Sequence, residues 1–185
     1  MTENTTARNV FSRRPGTALL WVLNIAVILT VSYFGRRLET WIRESIGREG
    51  AAWLLAASVV LLLILAGIAL VRKSGYPGLL HLLWLAALVG ALMLYVGRHP
   101  ARWLHIPFFG SFGFLSVRLF TLRTAAEAAF ALSVLDEVFQ HYLPDRVGDP
   151  EDMVINAVCA AAGIALCLVL RKPPARHRGG TGDPG

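Results

Sequence analysis

The chain has 185 residues, of which 55% are apolar and only 16% charged, with 18 Lys and Arg against 12 Asp and Glu. A soluble domain carries about a quarter charged residues, whereas the apolar residues here come in blocks of roughly twenty, the length that crosses a bilayer's hydrocarbon core. An ordinary soluble domain is excluded, and the net charge of +6 does not point to nucleic acid, because its distribution follows the loops between apolar blocks.

Six blocks predict an all-α, polytopic transmembrane bundle. Residues 1–16 form a basic N-terminal segment expected in the cytoplasm. The first block, 17–34, has Arg13 and Arg14 before it and no small-residue cleavage site after it. It therefore reads as a first span rather than a removed signal peptide. Blocks 51–71 and 78–96 complete an N-terminal region of three spans, residues 17–97, with His81 one turn inside the third. Block 105–120 is shorter and rich in Phe and Gly, which permits a tilted span or a re-entrant segment. Five spans with that segment at the interface is the alternative to six. Block 124–142 begins apolar and ends polar, and 153–170 is the last span. Residues 171–185 are a Pro- and Gly-rich tail that is expected to be disordered and cytoplasmic.

With six spans and both termini inside, eleven Lys and Arg fall on inner segments and seven on outer loops, the usual positive-inside bias. The first outer loop alone holds Arg36, Arg37, Arg43 and Arg48, interleaved with Glu39, Glu44 and Glu49. The basic ends are expected to meet anionic membrane lipid rather than nucleic acid. Cys159 and Cys167 lie eight residues apart in one apolar span and read as small buried residues.

One stretch does not fit the apolar background. Between 136 and 156 stand Asp136, Glu137, Gln140, Arg146, Asp149, Asp152 and Asn156. Polar groups at membrane depth are costly unless they have partners or a wet cavity, so they mark candidate sites. At 100° per residue, Ser133, Glu137 and Gln140 fall within about 100° of Asp136, leaving Leu132, Leu135 and Val138 on the opposite face. Glu127 lies off that stripe and is expected to pair with Arg123, four residues earlier. Asp149-Pro150-Glu151-Asp152 is a helix start, with an N-cap, Pro at the first position and acids in the first turn. From there one narrow stripe runs through Asp152 and Asn156 to Ala160 and Gly163. Its expected partner is the Asp136/Gln140 face, with Arg146 in the connecting loop. His105 opens the shorter block at the same depth, making it the third contributor.

These residues resemble a family. His105-Ile-Pro-Phe-Phe-Gly followed by Asp136-Glu137-x-x-Gln140, Pro144-x-Arg146, Asp149, Asp152 and Asn156 looks like the VanZ-like family of bacterial membrane proteins, over about residues 98–170. The chain departs from it in having Ala157 after the Asn and Phe109-Gly110 where Tyr-Gly is common. The resemblance implies a multi-pass protein of the bacterial cell membrane, within the cell envelope. The family's namesake is associated with low-level resistance to the glycopeptide teicoplanin.

Two functional readings follow. In the first, a non-enzymatic accessory or binding module uses His105, Asp136, Glu137, Gln140, Arg146, Asp149, Asp152 and Asn156 to receive a lipid-linked envelope precursor or a lipophilic glycopeptide. Arg146 would supply a planar fork for phosphate or carboxylate. In the second, the carboxylates and His105 perform acid–base chemistry on a lipid-linked substrate. No metal or cofactor is expected. His105, Glu137, His141 and Asp149 are a mixed N/O set, yet no His-x-x-x-His or Glu-x-x-His pair lies on one helix. Capping explains Asp149 and Asp152 without a ligand, and His81 and His141 read as interfacial.

Overall fold

In the computed structural model, which describes residues 14–74, 79–96, 100–144 and 148–171, the described residues are helical and contain no strand. Helix α1 (Pro15–Ser74) is interrupted at Gly47, where φ is 74° and ψ 168°. No atom lies within 4 Å of a Cβ placed there, so the backbone conformation alone calls for glycine. The Gly47→Ala variant is expected to lose about 1–3 kcal/mol, read as a lower melting temperature in detergent; an unchanged value would show that the bend is not required. Arg14, just before α1, and Lys73, near its end, line one cavity, so the two arms of α1 fold back as a hairpin. A straight helix of 60 residues would hold those ends about 90 Å apart.

The segment 35–50, expected as an outer loop, is helical on both sides of Gly47. The reason is compositional: it has no Pro, and Arg, Glu and Leu are strong helix formers. Helix α2 (Leu79–Val96) follows, then a 3-10 turn (Pro100–Leu104), α3 (His105–Leu119), α4 (Leu122–His141) and α5 (Pro150–Leu170). Thr121 caps α4 by accepting from the Thr124 N–H, and Asp149 caps α5 by accepting from the Glu151 N–H, with Pro150 opening the helix as expected.

Helices α3 and α5 form the tightest contact. A Cβ at Gly113 would overlap the backbone of Ala160, and one at Gly163 would overlap the Gly110 carbonyl and approach the Phe114 nitrogen. The expected seat of the small-residue stripe is thereby corrected. Ala160 and Gly163 pack on α3, and only the polar end of the stripe reaches α4. Glycines on both α3 and α5 let two backbones touch, whereas α4 has no glycine and buries Ala125, Ala129 and Leu132. Around this contact Ile28, Phe109, Phe112, Leu132, Ile155 and Cys159 form the main core. Val59, Leu85 and Val89 join the second arm of α1 to α2. Both cysteines are buried and free.

The outer surface is apolar. Leu19, Leu20, Leu61, Leu65, Leu83, Leu94, Leu135 and Val154 are all exposed, an arrangement suited to lipid. Among the described residues, Pro15–Leu38, Ala52–Lys73 and Pro150–Leu170 are long and apolar enough to cross a membrane, and Leu80–Tyr95 is a shorter apolar helix. Helix α3, with 15 residues, is about 22 Å long, short of a core of about 30 Å. Helix α4 is long enough but carries Arg123, Glu127, Asp136 and Glu137.

Candidate functional site

The site is built first from the last two turns of α4. Ser133, Asp136, Glu137 and Gln140 are buried there, while Leu135 and Val138 point outward. Asp136 is 1% exposed. Its Oδ1 accepts from the Ser32 hydroxyl on α1. Its Oδ2 accepts from Gln140 Nε2 at 3.0 Å and from Asn156 Nδ2 on α5 at 3.4 Å. One carboxylate thus ties three helices, with enough donors to offset its burial.

Glu137, one residue on, holds the start of α5. Its Oε2 accepts the Asp149 N–H at 2.9 Å, and Gln140 Nε2 lies 3.5 Å from its Oε1. Asp149 in turn accepts the Glu151 N–H with Oδ1. The capping role expected for Asp149 is therefore real, and Glu137 supports it from below.

Outside this network lies an ionic cluster around Arg102, on the 3-10 turn. Its Nη2 is 2.5 Å from Asp149 Oδ2, its Nη1 3.3 Å from Glu151 Oε2 and its Nε 3.2 Å from Asp152 Oδ1. Burial alone would lower the affinity of Arg102 for its proton. The charge of Asp152 and the bonds to Asp149 and Glu151 outweigh it and raise that affinity above the ordinary arginine value.

His105 joins the two parts. Its ring stacks on Phe109 with centroids 6.0 Å apart, and it lies within electrostatic reach of Asp152, Asp136 and Arg102 and beside the Asn156 side chain. Asn156 is fully buried. Its amide nitrogen donates to Asp136, and its side chain also meets the His105 imidazole.

Seven of the eight residues proposed from the sequence meet here: His105, Asp136, Glu137, Gln140, Asp149, Asp152 and Asn156. Arg146 lies outside the described residues. The guanidinium that engages the acids is Arg102, which sequence reasoning counted only as an outer-loop charge. Its signal was an Arg between apolar residues three positions before His105. Ser32 was missed too, since a lone hydroxyl in a first span ordinarily bonds its own backbone. Here the Ser32 Oγ lies 2.9 Å from Ile28 O and also against Asp136 Oδ1, so its single proton is shared between the two acceptors. The Arg123–Glu127 pair forms as expected at 2.8 Å, away from the site.

Among the described residues no group of three or more His, Cys, Asp or Glu is arranged to hold a metal ion. The cluster gathers five carboxylates (Asp136, Glu137, Asp149, Glu151 and Asp152) around one arginine and one histidine. Its free capacity is for accepting hydrogen bonds, not for holding an anion.

Fold and site together define a helical membrane protein with an acidic, amide-bearing cluster at one end of its α3–α5 core. The chain belongs to the VanZ/LLP1 family, whose model matches residues 3–171. The match reaches well beyond the C-terminal half that carried the resemblance and includes both arms of α1. No curated protein and no solved structure matches the chain.

Proposed function

We propose that this VanZ/LLP1 protein is a non-enzymatic binding module of the bacterial cell envelope, crossing the cell membrane six times with both termini in the cytoplasm. Its polar cluster faces the outer leaflet and receives the donor-rich polar part of an envelope amphiphile, either a lipid-linked precursor or a lipophilic glycopeptide. The orientation is supported by Arg14, Lys73, Arg118 and Arg171, which line a cavity at the far ends of the helices, where the positive-inside rule puts the cytoplasm. The observation that carries the reading is the gathering of five carboxylates around one arginine and one histidine at one end of the core, which gives the cluster more hydrogen-bond acceptors than its own donors fill. The association of the family's namesake with teicoplanin resistance makes that glycopeptide the first ligand to test.

The Asn156→Val variant separates binding from glue. At matched membrane abundance it is expected to weaken teicoplanin binding at least about tenfold, with a melting temperature close to the parent's. The bond lost to Asp136 is a long one, and Ser32 and Gln140 still donate to that carboxylate. A much lower melting temperature with binding retained would sink the proposal in favour of a structural cluster. The competing acid–base reading rests on His105 lying within electrostatic reach of Asp136 and Asp152, with Glu137 next to Asp136. It requires that Glu137→Gln and Asp152→Asn abolish function, whereas the binding reading expects both variants to keep it.

A further inference from the structure

The opposite end of the bundle carries a second feature that the polar cluster does not explain. A cavity of about 980 Å³ is lined by Arg14, Lys73, Arg118 and Arg171, with Phe114 and Leu170 among its apolar walls. The four cations come from four different places, namely both ends of α1 and the C-terminal ends of α3 and α5, so their convergence is a product of the fold. All four are exposed. None forms an ion pair with a carboxylate among the described residues.

Two of the guanidinium groups are aimed by backbone rather than by acids. Arg14 Nη1 donates to the Arg118 carbonyl at 2.9 Å, and Arg171 Nη2 donates to the Val117 carbonyl. Both acceptors belong to the last turn of α3, whose unpaired carbonyls carry partial negative charge. That fixes the positions of the arginines and leaves most of their charge uncompensated. Arg118 lies over the Phe114 ring, 5.9 Å from its centroid, which keeps it at the cavity as well. The apolar wall then continues away from the charges along α3 and α5.

We infer that this cavity is a binding site for an anionic phospholipid, with the phosphate among the four cations and an acyl chain along Phe114 and Leu170. Arginine forks match phosphate oxygens, and each basic residue close to an anionic membrane surface strengthens binding by roughly fivefold. A lipid is favoured over a free anion because the charges stand at the mouth of an apolar wall on a lipid-facing bundle.

The test uses the full chain purified in detergent and titrated with phosphatidylglycerol, phosphatidylcholine or inorganic phosphate, with bound species counted by native mass spectrometry. Phosphatidylglycerol is expected to bind at least about tenfold more tightly than phosphatidylcholine. The Arg118→Gln and Lys73→Gln variants are each expected to lose about fivefold of that preference. Lys73 is exposed and makes no hydrogen bond among the described residues, so its variant retains the fold if Arg118→Gln does not. Arg123→Gln, at the same end but outside the cavity, is expected to leave the preference unchanged. Equal binding of the two lipids, an equal loss in Arg123→Gln, or displacement of phosphatidylglycerol by equimolar inorganic phosphate would each overturn the assignment.

Discussion

The Gly163→Leu variant is expected to yield almost no folded protein. The Cβ alone would overlap the carbonyl group of Gly110 and approach the Phe114 nitrogen, so the obstacle is backbone and cannot be relieved by a rotamer change. Overpacking a core ordinarily costs about 1–3 kcal/mol. Here α3 and α5 must separate as whole helices, which also opens the core at Phe109, Phe112 and Ile155 and withdraws Asn156 from Asp136. The expected loss is at least about 4 kcal/mol, enough to unfold a marginal protein. Gly113→Val meets the backbone of Ala160 and should behave the same way. Gly90 supplies the contrast: it lies mid-helix in α2 with nothing within 4 Å of its Cβ, so Gly90→Ala is expected to be neutral or slightly stabilising. Size-exclusion profiles and melting temperatures of the three detergent-solubilised variants decide the matter. A Gly163→Leu protein that elutes and melts like the parent would remove the case for backbone contact as the organising feature of the bundle.

That contact was only half legible in the sequence. A stripe of small residues on α5 follows from periodicity, because Asp152, Asn156, Ala160 and Gly163 recur at intervals of three and four. Which helix receives it does not follow, since any helix with small residues fits. The deciding glycines, Gly110 and Gly113, sat in a Phe-rich block short enough to suggest a re-entrant segment. Helix bounds were read well: the expected block 78–96 is helix Leu79–Val96 and the expected block 105–120 is helix His105–Leu119. The error at 35–50 came from treating charge as a sign of loop. Alternating Arg and Glu are good helix formers, and charge says only that a segment leaves the lipid.

The site was legible where polar residues interrupt an apolar helix, because there the cost of burial makes each one conspicuous. Asp136, Glu137, Gln140 and Asn156 were found for that reason, and all are at most 4% exposed. Arg146 is conspicuous for its place in the loop between the two polar stripes. Tertiary structure instead brings in Arg102, 47 residues from Asp149 in sequence. A guanidinium in a loop looks the same whether it is solvated or clamped by three carboxylates, so only its place between Ala101 and Trp103, three residues before His105, sets it apart.

Removing Arg102 is therefore expected to have the largest effect of any single change in the polar cluster. Arg102→Ala leaves Asp149, Glu151 and Asp152 facing one another at the start of α5, with Glu137 beneath them. Breaking a buried ion pair by deleting one partner costs about 3–5 kcal/mol, because the remaining charge is uncompensated. The Arg102 side chain keeps 26% of its exposure, so screening reduces the figure to roughly 2–4 kcal/mol. Its raised proton affinity means that titration of the guanidinium itself contributes no pH dependence in the neutral range: the stability it provides persists up to its unfolded-state pKa. Arg102→Lys keeps the charge but not the fork that reaches three acids through Nε, Nη1 and Nη2, and is expected to recover about half of the loss. The decisive measurement is a double-mutant cycle. If like-charge repulsion causes the damage, adding Asp152→Asn to Arg102→Ala raises the melting temperature, although Asp152→Asn alone lowers it. The expected coupling is about 1–3 kcal/mol. Additive losses would mean that Arg102 holds the turn against α5 by packing alone, and that the carboxylates around it have room to keep their charge without it.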